Sequence, residues 1–307
     1  MVPTNGEHAL NEIDVRCFVC GGTEFESGTK DYHSCLNCGH ETLVFTKEQF
    51  FIINDKLCEK EVCRITSLDR FKARTLSFFD NGIARKQLLD IGSASGKFLY
   101  HNAGRYTRAT GIEITPESVK FSRQVLGLDI IEDIQEAPEE ISVASAWHAL
   151  EHIPEQHLLA LLNGLSSKMA AGGRLLVSVP NGTSWQYRWF GKAYAYYDVP
   201  NHLHQFTPES LERLMKRYGF YQVATVRSWP YNIFGYTQSL LNVITKSHNY
   251  LYYRLKRRSR KPSLPLDLAN GLLLIFVVPV SLLFGMVDAI NLKRQGVITT
   301  CFEKRTC

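Results

Sequence analysis

The chain has 307 residues, 45% of them hydrophobic and 21% charged, which is ordinary globular composition and excludes a disordered protein. A net charge of +5 is too mild to mark a nucleic-acid binder by itself. The opening MVPTNGEHALNEID carries acids and no apolar core, so no secretory signal is expected there, and the eight cysteines are read as reduced thiols of a cytoplasmic protein.

The first element is CFVCGGTEFESGTKDYHSCLNCGH. It sets Cys17-x2-Cys20 and Cys35-x2-Cys38 fourteen residues apart, with glycines behind each pair to let the backbone turn. Two such knuckles close a tetrahedral four-thiolate site, so residues 1–48 are expected to form a zinc ribbon whose ion is structural. With all four positions taken by protein, no coordination site is left for water. His33 and His40 are bystanders in this reading. Residues 49–84 form a linker, with one helix expected from about Asp55 to Phe79.

Next comes KQLLDIGSASGKFLYHNA, an apolar run ending in an acid, then a glycine turn, then an amphipathic segment. This reads as a strand, a tight loop and a helix, with Gly92 and Gly96 allowing a ligand close to the backbone. A second strand, ATGIEIT, places Glu113 twenty-one residues after Gly92, where an acid can bind both hydroxyls of a ribose. TPESVKFSRQ then begins a helix at Thr115 and Pro116, and a third strand, LDIIED, ends at Asp133. A fourth, ISVASAW, runs into HALEHIPE, and a fifth is GGRLLVSVPN.

In that order and spacing, LLDIGSASG, GIEIT, HALEHIPE and GGRLLVSVPN resemble the class I S-adenosylmethionine-dependent methyltransferases, most of all the ubiquinone-pathway O-methyltransferases and related bacterial enzymes of surface-glycan or lipid synthesis. The resemblance covers about residues 85–229 and the tail, 296–307. It implies a Rossmann-like seven-stranded α/β sheet, with Asp90, Gly92, Ser93 and Gly96 around the methionine part of the cofactor, Glu113 at the ribose, and Asp133 and Ile134 flanking the adenine. The H-x-x-E-H spacing of HALEH is also a zinc-peptidase pattern, but it caps a strand and precedes Pro154. His148, Glu151 and His152 could instead gather a divalent cation.

Methyl transfer to a hydroxyl needs in-line alignment and a base, and histidine suits the latter. His152 ranks first by position, then His204 in DVPNHLHQFTPESL, with His148 third and His202 nearby. Seven aromatics from Trp185 to Tyr197 suggest a substrate roof fitted to a ring, a prenyl chain or a sugar. No Asn/Asp-Pro-Pro-aromatic motif and no Pro-Cys follow the fourth strand, which sets aside nucleobase amino groups and cytosine carbon. A non-catalytic cofactor-binding scaffold, an RNA methyltransferase using the ribbon and an NAD enzyme stay open as rivals.

After the sixth strand, YQVATVRSW, the only good candidate for a seventh is the tail, GVITTCFEKR, returning antiparallel between the fifth and sixth. Residues 230–295 are then an insertion containing the basic run RLKRRSRK and the apolar LANGLLLIFVVPVSLLFGMVDAI. Both ends of the insertion sit on one domain, and Pro279 divides the apolar stretch, so a helical hairpin docked in one leaflet is expected, not a crossing. The acceptor is then a small hydrophobic or lipid-linked molecule, at the cytoplasmic face of a membrane with anionic lipids.

Overall fold

The computed structural model describes residues 16–27, 31–43, 57–80, 86–256 and 263–305. The opening stretch read for a signal, residues 257–261 of the basic run and Cys307 lie outside the described residues.

Three short strands, β1 (Phe25–Ser27), β2 (Tyr32–Cys35) and β3 (Glu41–Leu43), pair antiparallel around the cysteine knuckles. The single helix expected up to Phe79 is two, α1 (Glu59–Cys63) and α2 (Ser67–Phe79). Arg64 leaves the helical region, and Thr66 opens a capping box: its hydroxyl accepts the Asp69 N–H, while the Asp69 carboxylate accepts the Thr66 N–H at 2.7 Å. A cap of this kind contributes about 1 kcal/mol, which favours restarting over continuing through two β-branched residues.

The main sheet follows in alternation: β4 (Gln87–Ile91), α3 (Lys97–Asn102), β5 (Arg108–Ile112), α4 (Pro116–Gln124), β6 (Asp129–Ile131), β7 (Ile141–Trp147), α5 (Glu155–Lys168) and β8 (Met169–Pro180). Strand β6 stops at Ile131, short of Asp133, because Asp133 turns its side chain to cap a 3-10 turn over Ile134–Glu136. Strand β7 is buried along its whole length, and its small residues Ser142, Ala144, Ser145 and Ala146 let both faces be covered closely. On one side Leu158, Leu162 and Leu165 of α5 close over it, each buried leucine contributing about 2 kcal/mol.

Then come α6 (Trp185–Phe190), β9 (His204–Gln205), α7 (Pro208–Arg217) and β10 (Phe220–Val226). Strand β9 pairs with β3, so a piece of the main body completes the ribbon's sheet. The knuckle residues Phe18 and Val19 enter the same core as α5 and α7, and Arg217 donates to the Phe18 carbonyl. The ribbon is built into the body at this seam.

Three helices, α8 (Trp229–Thr245), α9 (Tyr250–Leu255) and α10 (Leu264–Ile290), precede β11 (Val297–Lys304). Strand β11 lies antiparallel between β8 and β10, giving the order β10-β11-β8-β7-β4-β5-β6, as the β-branched tail predicts. Thr299 is held there by the Ser178 hydroxyl at 3.1 Å and the Ser228 hydroxyl at 2.7 Å.

The expected break at Pro279 is not present: α10 is one helix of 27 residues with Pro279 inside it. An internal proline costs about 3 kcal/mol, and here anchors on both sides offset it. Before the proline, Asp267 pairs with Arg254 at 3.0 Å; after it, Asp288 accepts the Tyr236 hydroxyl at 3.0 Å. Helix α10 pairs with α8, so the hairpin is α8 against α10 and not two halves of α10.

Candidate active site

The carboxyl edge of the parallel strands gathers the glycine loop and the histidines. Gly92 follows β4 at φ +68, and a Cβ there would lie 2.6 Å from that of Ala149, so the loop passes directly against the end of β7. Gly96, at φ +71, opens α3 where a side chain would collide with Leu128 and Ser122. Ser93 is buried with its hydroxyl unpaired among the described residues. At the end of β5 the Glu113 carboxylate accepts the N–H groups of Ala94 at 2.7 Å, Ile114 at 2.9 Å and Thr115 at 2.8 Å. These bonds hold the carboxylate in place and leave about one acceptor site, on Oε2, for a ligand hydroxyl. One oxygen of Asp133 is engaged by the Gln135 N–H at 2.8 Å, and Ile134 is buried beside it.

Asp90 is buried in β4 and accepts the Ser145 hydroxyl at 2.7 Å. Burial pushes its carboxyl up to about 7, against the pull of Ser145 and Lys72 and with a further push from Glu113. Lys72, on α2, lies 5.4 Å from the Trp147 ring centre and 6.0 Å from that of Phe98, and burial lowers its pKa to about 8 although Asp90 raises it. Helix α2 thus sets a cation beside the buried Asp90 and the aromatic end of β7. The motif pattern does not reveal Lys72, because only tertiary packing brings it there.

The end of β7 carries the second group. His148 adopts φ +54, and Leu150–His152 form a 3-10 turn, so the H-x-x-E-H residues do not share an α-helix face as the peptidase pattern requires. Glu151 is 0% exposed. His148 Nδ1 donates to its Oε1 at 3.2 Å, while Oε2 and the Nε2 of His148 have no partner among the described residues. Burial pushes the Glu151 carboxyl up, but the His148 bond and the imidazoles of His148, His152 and His202 outweigh this and hold it at about 2.

His152 Nδ1 donates to the Asn201 carbonyl at 2.9 Å, and His202 Nδ1 to that of Tyr196 at 2.8 Å. Carbonyls only accept, so both rings carry the proton on Nδ1 and present Nε2 as a lone pair. Burial, reinforced by His152, holds His202 down at about 4 and hence neutral. Ligand atoms of Glu151, His152 and His202 lie within 4.8 Å of one another, so the group close enough to share a cation includes His202 in place of the expected His148.

His204 is placed elsewhere. It is buried, donates from Nε2 to the Ile153 carbonyl at 3.0 Å, and packs on Phe18, His40 and Phe206 at the ribbon seam. The seven aromatics also divide. Tyr187, Tyr194 and Tyr197 join Tyr32 in a cluster under the ribbon, while Tyr196 stacks on His148 at 5.6 Å and Trp189 meets Phe284 of α10. Tyr231, from α8, completes the roof at 4.7 Å from His148. Sequence reasoning missed it because it belongs to the insertion, far along the chain from the fourth strand.

The sulfurs of Cys17 and Cys38 are 3.7 Å apart, those of Cys20 and Cys35 3.6 Å, and all four lie within 4.8 Å of one another. Gly21 and Gly39 turn at φ +75 and +66, and the Gly22 N–H points to the Cys20 sulfur at 3.4 Å. The thiols converge as a four-sulfur metal site requires.

Residues 64–225, more than half of the chain, match a family model described as a methyltransferase domain. The chain belongs to the class I S-adenosylmethionine-dependent methyltransferases. The chain is 25% identical over 121 residues to a ubiquinone biosynthesis O-methyltransferase of Idiomarina loihiensis, a stretch covering 34% of this chain and 48% of that protein. It thus spans about half the length of that curated relative. Among solved structures it is similar to a protein assigned as a sarcosine dimethylglycine methyltransferase from Galdieria sulphuraria, with a TM-score of 0.51 and 12% identity over 78% of this chain and 85% of that one. It is also similar to an S-adenosylmethionine-dependent methyltransferase from Archaeoglobus fulgidus, with a TM-score of 0.45 and 18% identity over 77% of this chain and 93% of that one. The likeness to the Galdieria protein concerns the fold alone.

Proposed function

We propose that the protein transfers a methyl group from S-adenosylmethionine to a hydroxyl of a hydrophobic acceptor, with His148 as the base. The observation that carries this reading is the buried Glu151 carboxylate bonded to His148 Nδ1, beside the glycine loop. The cofactor fits the unpaired Ser93 hydroxyl and the pre-positioned Glu113 carboxylate at the glycine loop. When bound, it supplies an activated methyl on a sulfonium. Glu151 orients the imidazole and leaves Nε2 to accept the hydroxyl proton as the acceptor oxygen takes the methyl; its ionised carboxylate then stabilises the imidazolium. Tyr196 and Tyr231 flank the ring and favour an apolar or aromatic acceptor body.

Glu151, His152 and His202 would hold a divalent cation, which would lower the pKa of an acceptor hydroxyl. Cys17, Cys20, Cys35 and Cys38 would hold zinc structurally. The test is His148→Gln assayed with labelled cofactor on lipid and glycan extracts. Turnover is expected to fall by about 10²–10⁴ with cofactor affinity retained. Turnover within about twofold of wild type would remove His148 as the base.

A further inference from the structure

Helix α10 is polar on the inside and apolar on the outside. At 3.6 residues per turn, its buried residues Asn270, Val277, Ser281, Gly285 and Asp288 fall within an arc of roughly 80°. That arc meets α8: Asp288 accepts the Tyr236 hydroxyl, and a Cβ on Gly285 would come 2.9 Å from Ile233. The exposed residues cover a second arc of roughly 160° on the other side. Its centre is Leu268, Leu272, Ile275, Phe276, Leu283 and Met286, and Phe276 alone is 71% exposed. Only 22% of the helix's most apolar stretch is buried. In water this is the reverse of a stable surface helix; in lipid it is the expected one, with small and polar residues at the helix contact and apolar ones outward.

We infer that this arc docks in the plane of an anionic lipid leaflet. A length of 27 residues, about 40 Å, would also reach across a bilayer, but both ends are tied to the same body. The C-terminal end runs into β11, with Asn181 donating to the Lys293 carbonyl at 3.0 Å. The N-terminal end is held through Asp267 to α9, and α8 is held against the roof by Asn242 donating to the Ala193 carbonyl at 3.0 Å. Helix α8 therefore lies between the catalytic body and α10, and the apolar arc forms one side of the molecule. Exposed Lys256 precedes the helix and exposed Lys293, 3.4 Å from Glu209, follows it; in the sequence, six of the eight residues from Arg254 to Lys261 are basic, Arg254 among them being paired with Asp267. No charge interrupts the stretch from Leu268 to Val287. That pattern matches acyl chains between anionic headgroups; a two-helix seam between copies would need only a narrow stripe. The inference does not depend on which acceptor is methylated.

The test is sedimentation of the full-length protein with phosphatidylcholine vesicles, with and without phosphatidylglycerol, compared with the triple variant Leu272→Glu/Phe276→Glu/Leu283→Glu. The wild type is expected to sediment with the anionic vesicles and to be weakened by salt. The variant is expected to bind at least about tenfold less at an unchanged melting temperature, since all three side chains are exposed. A Phe276→Trp protein gives a readout that needs no charge change: its fluorescence is expected to be quenched by brominated acyl chains. Absence of vesicle binding, equal binding by the triple variant, or no quenching would overturn the inference. So would a stable dimer in solution that the triple variant converts to monomer, because a second copy would then cover the arc.

Discussion

Asp90 and Glu113 sit at the ends of neighbouring strands, and their surroundings give them different work. Glu113 is satisfied by three backbone N–H groups, so its carboxylate is fixed at little cost. Asp90 is buried with one hydroxyl donor, and its carboxyl rises to about 7 from an ordinary value near ~4. Between those values the native state keeps a proton that the unfolded chain has released, so this residue's contribution to stability falls as pH rises through the window. Asp90→Asn removes that fall. Relative to wild type, the variant is predicted to gain on the order of 2–3 kcal/mol between about pH 5 and about pH 8 in urea unfolding. An equal difference at both values would contradict the assignment. Both acids were legible in the sequence, because an acid closing an apolar run beside a glycine turn has a position fixed by strand geometry. Lys72 and Tyr231 were not, since helix packing alone brings them against Trp147 and His148 at the end of β7.

At the scale of elements, the cysteine knuckles, the strand order and the returning tail follow from spacing, turn glycines and β-branching. Two features do not. Helix α10 continues through Pro279 because its anchors lie on other helices, which a local rule about proline does not count. His204 looked catalytic because it lies after the fifth strand, just before the helix capped by Thr207 and Pro208; the pairing of β9 with β3 turns it to the ribbon instead. That pairing has a consequence for stability. Phe18 and Val19 lie in the main core, so an ion held by the four cysteines would support the whole body. Removing the ion with a strong chelator, or introducing Cys38→Ser, is predicted to lower the single melting transition of the entire chain, by about 5 °C or more. A melting curve unchanged by both treatments would show that the thiols carry no structural ion.

Across the whole molecule, three layers stand in sequence: the sheet edge with its histidines, the roof of Tyr196 and Tyr231, and the helix pair whose outer arc is apolar. Helix α8 belongs to the last two layers, so the surface proposed for lipid lies one helix away from the proposed base. The composition signalled an apolar insertion, but its relation to the site depends on contacts between residues far apart in the chain. The central claim is methyl transfer to a hydroxyl of a membrane-proximal acceptor. Its most direct test is mass spectrometry of lipid and glycan extracts from cells with and without the protein, grown on methyl-deuterated methionine. A species bearing one deuterated methyl on oxygen, present only with the protein, is the predicted result. Label confined to nitrogen or carbon, or no labelled species that depends on the protein, would contradict it.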